Sequence, residues 1–167
     1  MRLCTGEDVD LEAVGEVHWR SRVAAYAHIL RPETLAAGAS SEALGEWWAE
    51  RWKWEQETHR LTVAQGDDGE IVGFTYVGPS ETAGAVELYA IHVVPEMVGA
   101  GLGRRLMESA LGQLREIGGE RAVLWVLEEN ERARRFYERG GWVPDGGTRV
   151  EAINGEPVPQ LRYSRPL

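Results

Sequence analysis

Cysteine is almost absent from this sequence, since Cys4 is the only one in the chain. A single cysteine excludes an internal disulfide and a cysteine-based zinc site, and we predict that the protein holds no metal. It also fits a reducing compartment. The first residues lack the apolar segment of a signal peptide, so we predict a cytoplasmic protein.

Long apolar runs and an excess of positive charge are also missing. No stretch of about twenty apolar residues is present, so we expect no membrane-spanning helix and no membrane partner. The net charge of −9 argues against nucleic acid as a partner and slightly favours a small cationic ligand. With 167 residues, 43% of them hydrophobic, the chain has the size and composition of a single globular domain spanning residues 1–167.

The most informative stretch joins a strand to a helix through a glycine-rich loop. Residues 87–94 are rich in β-branched and aromatic side chains, which predicts a strand. Residues 102–117 repeat apolar side chains at helical spacing. Between them stand Gly99, Gly101 and Gly103. Backbone amides of such a loop beside a helix N-terminus form an anion site, which predicts a phosphorylated cofactor.

Periodicity, caps and turn signals predict the remaining elements. A first strand at residues 1–5 precedes a helix that Asp8 caps, with Val9 among its buried positions. Gly73 indicates a bulge or a close backbone approach within its strand. The other predicted elements are a helix to Tyr26, a helix from Ser40 or Ser41 to Thr58, strands 60–65 and 70–77 around a turn at 66–69, a buried strand at 121–127, a helix capped by Asn130, and a hairpin of 148–153 and 158–163 turning at Asn154-Gly155.

Two motifs resemble the GNAT (GCN5-related) acetyltransferases. The run Val98-Gly99-Ala100-Gly101-Leu102-Gly103 resembles their Arg/Gln-x-x-Gly-x-Gly/Ala pyrophosphate loop, although Val98 and Ala100 stand where polar or basic residues are usual. The spacing of Asn130, Ala133 and Tyr137, followed by Gly140-Gly141-Trp142, resembles their Asn-x-x-Ala-x-x-x-Tyr helix and the segment after it. The element order also resembles theirs. It implies a mixed α+β fold, with a mostly antiparallel twisted sheet of about seven strands, a splayed parallel strand pair and about four flanking helices.

The resemblance implies acetyl-coenzyme A as cosubstrate and assigns residues to it. The backbone of Ile91, His92 and Val93 would pair with the pantetheine arm, and the amide of Ile91 or of Val93 would donate to the acetyl oxygen. Asn130 and Ala133 lie where the pantetheine arm passes, although Asn130 also fits a plain helix cap. The pyrophosphate would bind the loop residues Val98, Gly99, Ala100, Gly101, Leu102, Gly103 and Arg104.

The implied reaction is transfer of an acetyl group to a primary amine by direct attack in a ternary complex. Tyr137 matches the general acid that protonates the leaving thiolate. Glu87 is our candidate for the general base, because a buried carboxylate can be tuned towards neutral pKa. His92 is the alternative base. It differs from Glu87 in strand parity, which a bulge in this strand could change.

The acceptor is predicted to be a small-molecule or peptide amine, held by Trp19 and Tyr26 beside Glu87. Antibiotics, polyamines, amino acids, peptide N-termini and lysine all stay open. The four tryptophans at 47, 48, 52 and 54 lie on more than one helix face, so they serve the core and either a partner surface or an acceptor pocket. A non-catalytic acetyl-coenzyme A sensor and an interaction protein are the competing functions. The family often forms dimers, which makes a homodimer one option.

Overall fold

The computed structural model describes all 167 residues. It contains seven strands and five α-helices, with short 3-10 turns at Asp8–Asp10 and Pro95–Met97. In chain order these elements are β1 (Arg2–Thr5), α1 (Leu11–Tyr26), α2 (Pro32–Ala36), α3 (Ser41–Glu55), β2 (Arg60–Gln65), β3 (Ile71–Pro79), β4 (Ala85–Val93), α4 (Leu102–Ile117), β5 (Arg121–Leu127), α5 (Glu131–Arg139), β6 (Val143–Ile153) and β7 (Glu156–Pro166).

All seven strands belong to one sheet, in the order β1-β2-β3-β4-β5-β7-β6. Every neighbouring pair is antiparallel except β4 and β5, which run parallel. Helices α1 and α3 pack on one face through a core around Trp48, Phe74 and Tyr76. Helices α4 and α5 pack on the other face, around Leu111 and Trp142. This architecture confirms the predicted fold class.

Strands β4 and β5 stay together over only three residue pairs. The pairing ends where Glu87 lies opposite Val123. Strand β4 nevertheless remains paired with β3 as far as Val93. The edge of β4 that faces β5 is therefore unpaired beyond Glu87, and its outward amides and carbonyls are left for another partner. The splayed parallel pair implied by the sequence is present.

A bulge in β4 changes which side chains share a face. Tyr76 pairs with Ala90, whereas the next residue, Val77, pairs with Leu88, so Tyr89 is the extra residue. An inserted residue reverses the alternation of side chains along a strand. In a regular strand, Glu87 and His92 would lie on opposite faces, because they are five residues apart. With the bulge between them, both lie on the same face of the sheet, beneath α1 and α3.

The N-terminal helices differ from the sequence prediction in three respects. Helix α1 begins at Leu11, because residues 8–10 form a 3-10 turn in which the Glu7 amide donates to the Asp10 carboxylate. Val9 is therefore 83% exposed and not a core residue. The short helix α2 was not predicted; it starts at Pro32, whose fixed φ suits a first helical position. Helix α3 ends at Glu55, three residues before the predicted end.

The strand ends and turns follow the glycine and asparagine signals closely. Asn154 and Gly155 have φ values of 48° and 82°, as the predicted two-residue turn requires. Strand β6 begins at Val143 rather than residue 148, since an irregular pairing between Pro144 and Thr148 extends it. At Gly73 a Cβ would stand 3.0 Å from the His92 carbonyl oxygen, and the β2–β3 register shifts beside it. Both readings of this glycine are confirmed.

Candidate active site

The glycine loop before α4 presents free backbone amides. Gly99 and Gly101 adopt φ values of 84° and 83°, in the left-handed region that glycine alone enters without strain. The amide of Arg105 is the first to bond back, to the Gly101 carbonyl at 3.2 Å. The amides at the start of α4 consequently have no partner within the helix. Together with the helix dipole they form a site for an anionic group.

Side chains contribute little to this loop. Val98 is exposed, and Ala100 adds only a methyl group. Arg104 is exposed and its Nε donates to the Glu108 carboxylate at 3.0 Å. A Cβ at Gly103 would lie 3.5 Å from the Phe136 ring, an ordinary van der Waals contact, so the start of α4 lies beside α5. An anion bound at this loop would therefore be held by the backbone amides.

Glu87 is a buried carboxylate at the point where β4 leaves β5. Its side chain is 9% exposed, and the Ser80 hydroxyl donates to its Oε2 at 2.7 Å. Burial raises the pKa of Glu87 above its ordinary value, and the Ser80 hydrogen bond and the charges of Arg149 and Arg51 partly oppose this shift. A carboxylate with a raised pKa is a stronger base than an exposed one, so the site suits proton abstraction.

Arg51 of α3 holds the wall beside Glu87 in place. Its guanidinium lies 4.7 Å from the ring centre of Tyr89 and 5.0 Å from that of Tyr76. Its Nε donates to Glu55 at 2.7 Å, and the Tyr76 hydroxyl donates to the same carboxylate at 2.8 Å. These contacts join α3 to β3 and β4 next to the candidate base.

His92 is held in a neutral form among other rings. Its ring centre lies 4.5 Å from that of His18 and 5.3 Å from that of Phe74, and its Nδ1 is 3.1 Å from the Ser21 hydroxyl. Burial is the main cause that lowers the pKa of His92 well below its ordinary value, with the charge of Arg22 adding to the effect. A neutral imidazole can accept a proton, but the lowered pKa makes it a weaker base than an exposed histidine.

Tyr137 of α5 packs against the core and keeps its proton. Its ring lies 6.4 Å from that of Trp142 and 6.3 Å from that of Tyr163. Burial raises the pKa of the Tyr137 hydroxyl, and the neighbouring Tyr26 raises it further. The hydroxyl makes no hydrogen bond within the chain, so it is a protonated donor available to a bound molecule.

Asn130 caps α5, as one of the two sequence readings expected. Its Oδ1 accepts from the amide of Ala133 at 3.2 Å. The side-chain amide has no partner within the chain and can still donate to a ligand. Ala133 packs against the same core as Tyr137.

The residues predicted for the acceptor lie in the C-terminal half of α1. Trp19 is exposed and borders a surface depression that it shares with Arg22. Tyr26 packs beside this depression, against Leu30 and Leu127. It therefore lies near the end of β5, close to the gap between β4 and β5. Trp19 and Tyr26 are on the same side of the site, but only Trp19 lines the depression itself.

The four tryptophans of α3 divide between the core and the surface. Trp48 is 2% exposed and donates its indole N–H to His18 Nδ1 at 3.1 Å. Trp52 donates to Asp8 at 2.8 Å. Trp47 and Trp54 are exposed. The expectation that these rings occupy more than one helix face is confirmed.

Comparison with known proteins decides the family. A sequence model described as "Acetyltransferase (GNAT) family" matches residues 23–142. The chain belongs to the GNAT acetyltransferase family. This match spans β4, the glycine loop, β5 and α5, and so includes both motifs read from the sequence.

Curated relatives match about half of the chain. A mycothiol acetyltransferase from Propionibacterium freudenreichii is 36% identical over 84 residues, which are 49% of this chain and 27% of that protein. A 5-NmdU N-acetyltransferase from Pseudomonas phage PaMx11 is 37% identical over 89 residues, 53% of this chain and 59% of that protein. The matches cover too little of these GNAT proteins to transfer their acceptors to this chain.

Solved GNAT structures resemble the whole fold. The PaiA N-acetyltransferase from Thermoplasma acidophilum, crystallised with coenzyme A, has a TM-score of 0.79 at 19% identity and covers 100% of both chains. Nourseothricin acetyltransferase has a TM-score of 0.58 at 32% identity over 66% of each chain. The first of these likenesses concerns the fold alone.

Several residues of this candidate site were not predicted from the sequence. Ser80, Arg51 and His18 touch or influence the candidate bases but carry no family motif. One signal was available, because His18 and Arg22 stand at four-residue spacing with Tyr26 and so share a face of α1. The contact of Ser80 with Glu87 depends on how the β3–β4 loop folds back, which no local pattern reveals.

None of the helices is both long enough and apolar enough to cross a membrane. No group of three or more histidine, cysteine, aspartate or glutamate side chains is arranged as a metal site.

Proposed function

We propose that this GNAT protein transfers an acetyl group from acetyl-coenzyme A to a primary amine of a small molecule or peptide. The observation that carries the proposal is the gap that opens between β4 and β5 after Glu87 and Val123. One side of the gap offers unpaired β4 backbone, and the strand leads directly to the free amides of the glycine loop. A carboxylate with a raised pKa stands where the gap begins.

The chain has suitable groups for each part of acetyl-coenzyme A, which supplies an activated thioester. The free loop amides of Gly99, Gly101, Leu102, Gly103 and Arg104 would hold the pyrophosphate. The amides of Val98 and Ala100 already donate to the carbonyls of Pro95 and Met97, so these two residues would only border it. The outward backbone groups of Ile91, His92 and Val93 would pair with the pantetheine arm. The unpartnered amide of Asn130, next to Ala133, would donate to the same arm.

Proton transfer would be divided between two side chains. Glu87 would accept the proton of the acceptor amine, directly or through water, because its raised pKa brings it closer to the working pH. His92 lies on the same face and is the alternative base. Tyr137 would donate its proton to the leaving thiolate, since burial keeps its hydroxyl protonated and that hydroxyl has no partner within the chain.

Direct attack by the amine is favoured over an acetyl-enzyme. The only cysteine, Cys4, lies in β1 at the edge of the sheet. Strands β2 and β3 separate it from β4, so it cannot reach a thioester in the gap. We therefore expect Cys4→Ser to leave the transfer rate unchanged.

The experiment that tests the proposal is thiol release from acetyl-coenzyme A in the presence of an amine panel, with detection of the acetylated product by its mass shift. Calorimetric binding of coenzyme A is measured alongside. Transfer to at least one amine supports the enzyme. Binding of coenzyme A without transfer to any amine would instead favour the non-catalytic sensor, and absence of binding would refute both.

Three further features stand as proposals. Residues 1–167 are proposed to form one GNAT domain, because β1 and β7 belong to the same sheet. A cytoplasmic location is proposed from the composition. The exposed Trp47 and Trp54 of α3 offer a surface for a homodimer, which sedimentation over a range of concentrations would detect.

A further inference from the structure

Arg22 of α1 is a half-buried arginine that has no acceptor within the chain. Six other arginines are also half-buried, and each of them bonds to a carboxylate, a hydroxyl or a carbonyl. These six are Arg20, Arg51, Arg121, Arg134, Arg162 and Arg165. A partly desolvated charge without a partner carries a free-energy cost that an anionic ligand would remove.

The groups around Arg22 do not neutralise it. Its guanidinium carbon lies 5.8 Å from the ring centre of Tyr26, a long cation–π contact. This contact does not supply a negative charge. The charge of Arg22 acts on the pKa of His18, of His92 and of Tyr26. The pKa of His18 is lowered to about 4 and that of Tyr26 is raised, so none of these neighbours is anionic at neutral pH.

Arg22 borders a small depression with mostly apolar walls, and the lining includes Trp19, Leu30 and Leu35. The volume of the depression is only about 10 Å³, enough for about one water molecule. Asn154 in the β6–β7 turn donates to the carbonyl of Thr34 in α2 at 3.0 Å, which joins two sides of the depression. The depression is therefore an apolar surface beside Arg22 and does not enclose a ligand group.

The position of Arg22 separates it from the proposed pyrophosphate site. Arg20 reaches Glu96, beside the glycine loop, at 2.8 Å. Two residues correspond to about 200° of rotation along a helix, so Arg22 points away from that side of α1. Arg22 is therefore not placed to bind the cofactor phosphates. Arg22 instead acts electrostatically on His92, which lies on the part of β4 that is unpaired towards β5.

We propose that the acceptor amine carries a carboxylate, which Arg22 binds beside the apolar depression between α1, α2 and the β6–β7 turn. This inference rests on the proposed acetyl transfer and narrows its acceptor to amino-acid-like molecules. The negative net charge of the chain slightly favours cationic acceptors. Arg22 nevertheless supplies a local positive charge for the carboxylate, because the amine and the carboxylate bind at different points.

The test compares matched amines that differ by the carboxylate: L-phenylalanine with 2-phenylethylamine, and 4-aminobutyrate with n-butylamine. A charge-assisted contact predicts that kcat/KM of the wild-type protein favours the carboxylate-bearing member of at least one pair by about 10- to 100-fold. Arg22→Met should remove this preference through a higher KM, and Arg22→Lys should restore part of it. Arg115→Met removes the same charge from an exposed position in α4 and should leave the preference intact.

The outcomes separate this inference from the function on which it rests. Transfer that prefers the amines without a carboxylate, or a preference unchanged in Arg22→Met, would overturn the carboxylate assignment and leave the acetyltransferase standing. An equal loss of kcat with all four amines in Arg22→Met would also overturn it, because Arg22 would then act on the reacting group. Binding of coenzyme A with no transfer to any amine would overturn both.

Discussion

Replacing Glu87 with glutamine should separate activity from stability. Glutamine keeps the size of the side chain and can still accept the 2.7 Å hydrogen bond of Ser80, but it cannot take a proton. Without a base, the protein would depend on the fraction of acceptor that is already deprotonated. For an amine with a pKa of about 10.4, that fraction is about 10⁻³ at pH 7.4. We therefore expect kcat/KM to fall by about 10²- to 10³-fold, within the range of general base catalysis.

The pH dependence of the Glu87→Gln variant gives the sharper measurement. Its kcat/KM should rise about tenfold per pH unit and approach the wild-type value above the pKa of the amine, where no base is needed. A profile identical to that of the wild type would refute Glu87 as the base and make His92 the next candidate. Glu116→Gln, at an exposed carboxylate near the C-terminal end of α4, is the matched control and should keep the wild-type rate.

The thermal stability of Glu87→Gln should not fall with its activity. Burial raises the folded-state pKa of Glu87, so its protonated form is the one that suits the native state. The stability contributed by that proton is present below the unfolded pKa and is lost as the pH rises through the folded pKa. Because glutamine resembles the protonated form, the melting temperature at pH 8 should equal or exceed that of the wild type. A clear decrease would contradict the cost assigned to the buried charge.

The other predictions concern the acid, the loop and the core. Tyr137→Phe should lower kcat by about 10²-fold without changing the calorimetric affinity for acetyl-coenzyme A; full kcat would reduce Tyr137 to a packing residue. Gly101→Asp should abolish coenzyme A binding, because it places a side chain and a negative charge at the free amides and strains a φ of 83°; unchanged affinity would sink the loop assignment. Trp48→Ala should cost about 3–5 kcal/mol in chemical denaturation, whereas Trp54→Ala, at a 74% exposed position, should cost less than about 0.5 kcal/mol.

Local sequence signals determined the parts of the site that depend on neighbouring residues. The strand, the glycine loop and α4 were predicted with nearly correct bounds, because turn glycines and helical periodicity act over a few residues. The Asn130 cap and the Asn154-Gly155 turn have the same local origin. Local rules were less reliable at the start of α1, where competition between a 3-10 turn and the helix shifted the first turn and exposed Val9.

The arrangement of the candidate catalytic groups was decided by tertiary structure. The sequence left open whether a bulge joins Glu87 and His92 on one face, because register depends on the pairing of β4 with β3. The raised pKa of Glu87 requires the surrounding burial, and the isolation of Arg22 requires that no acidic side chain from any other element reaches it. Periodicity and motifs report what each segment forms by itself, whereas desolvation and the presence or absence of a charge partner exist only once distant segments pack together.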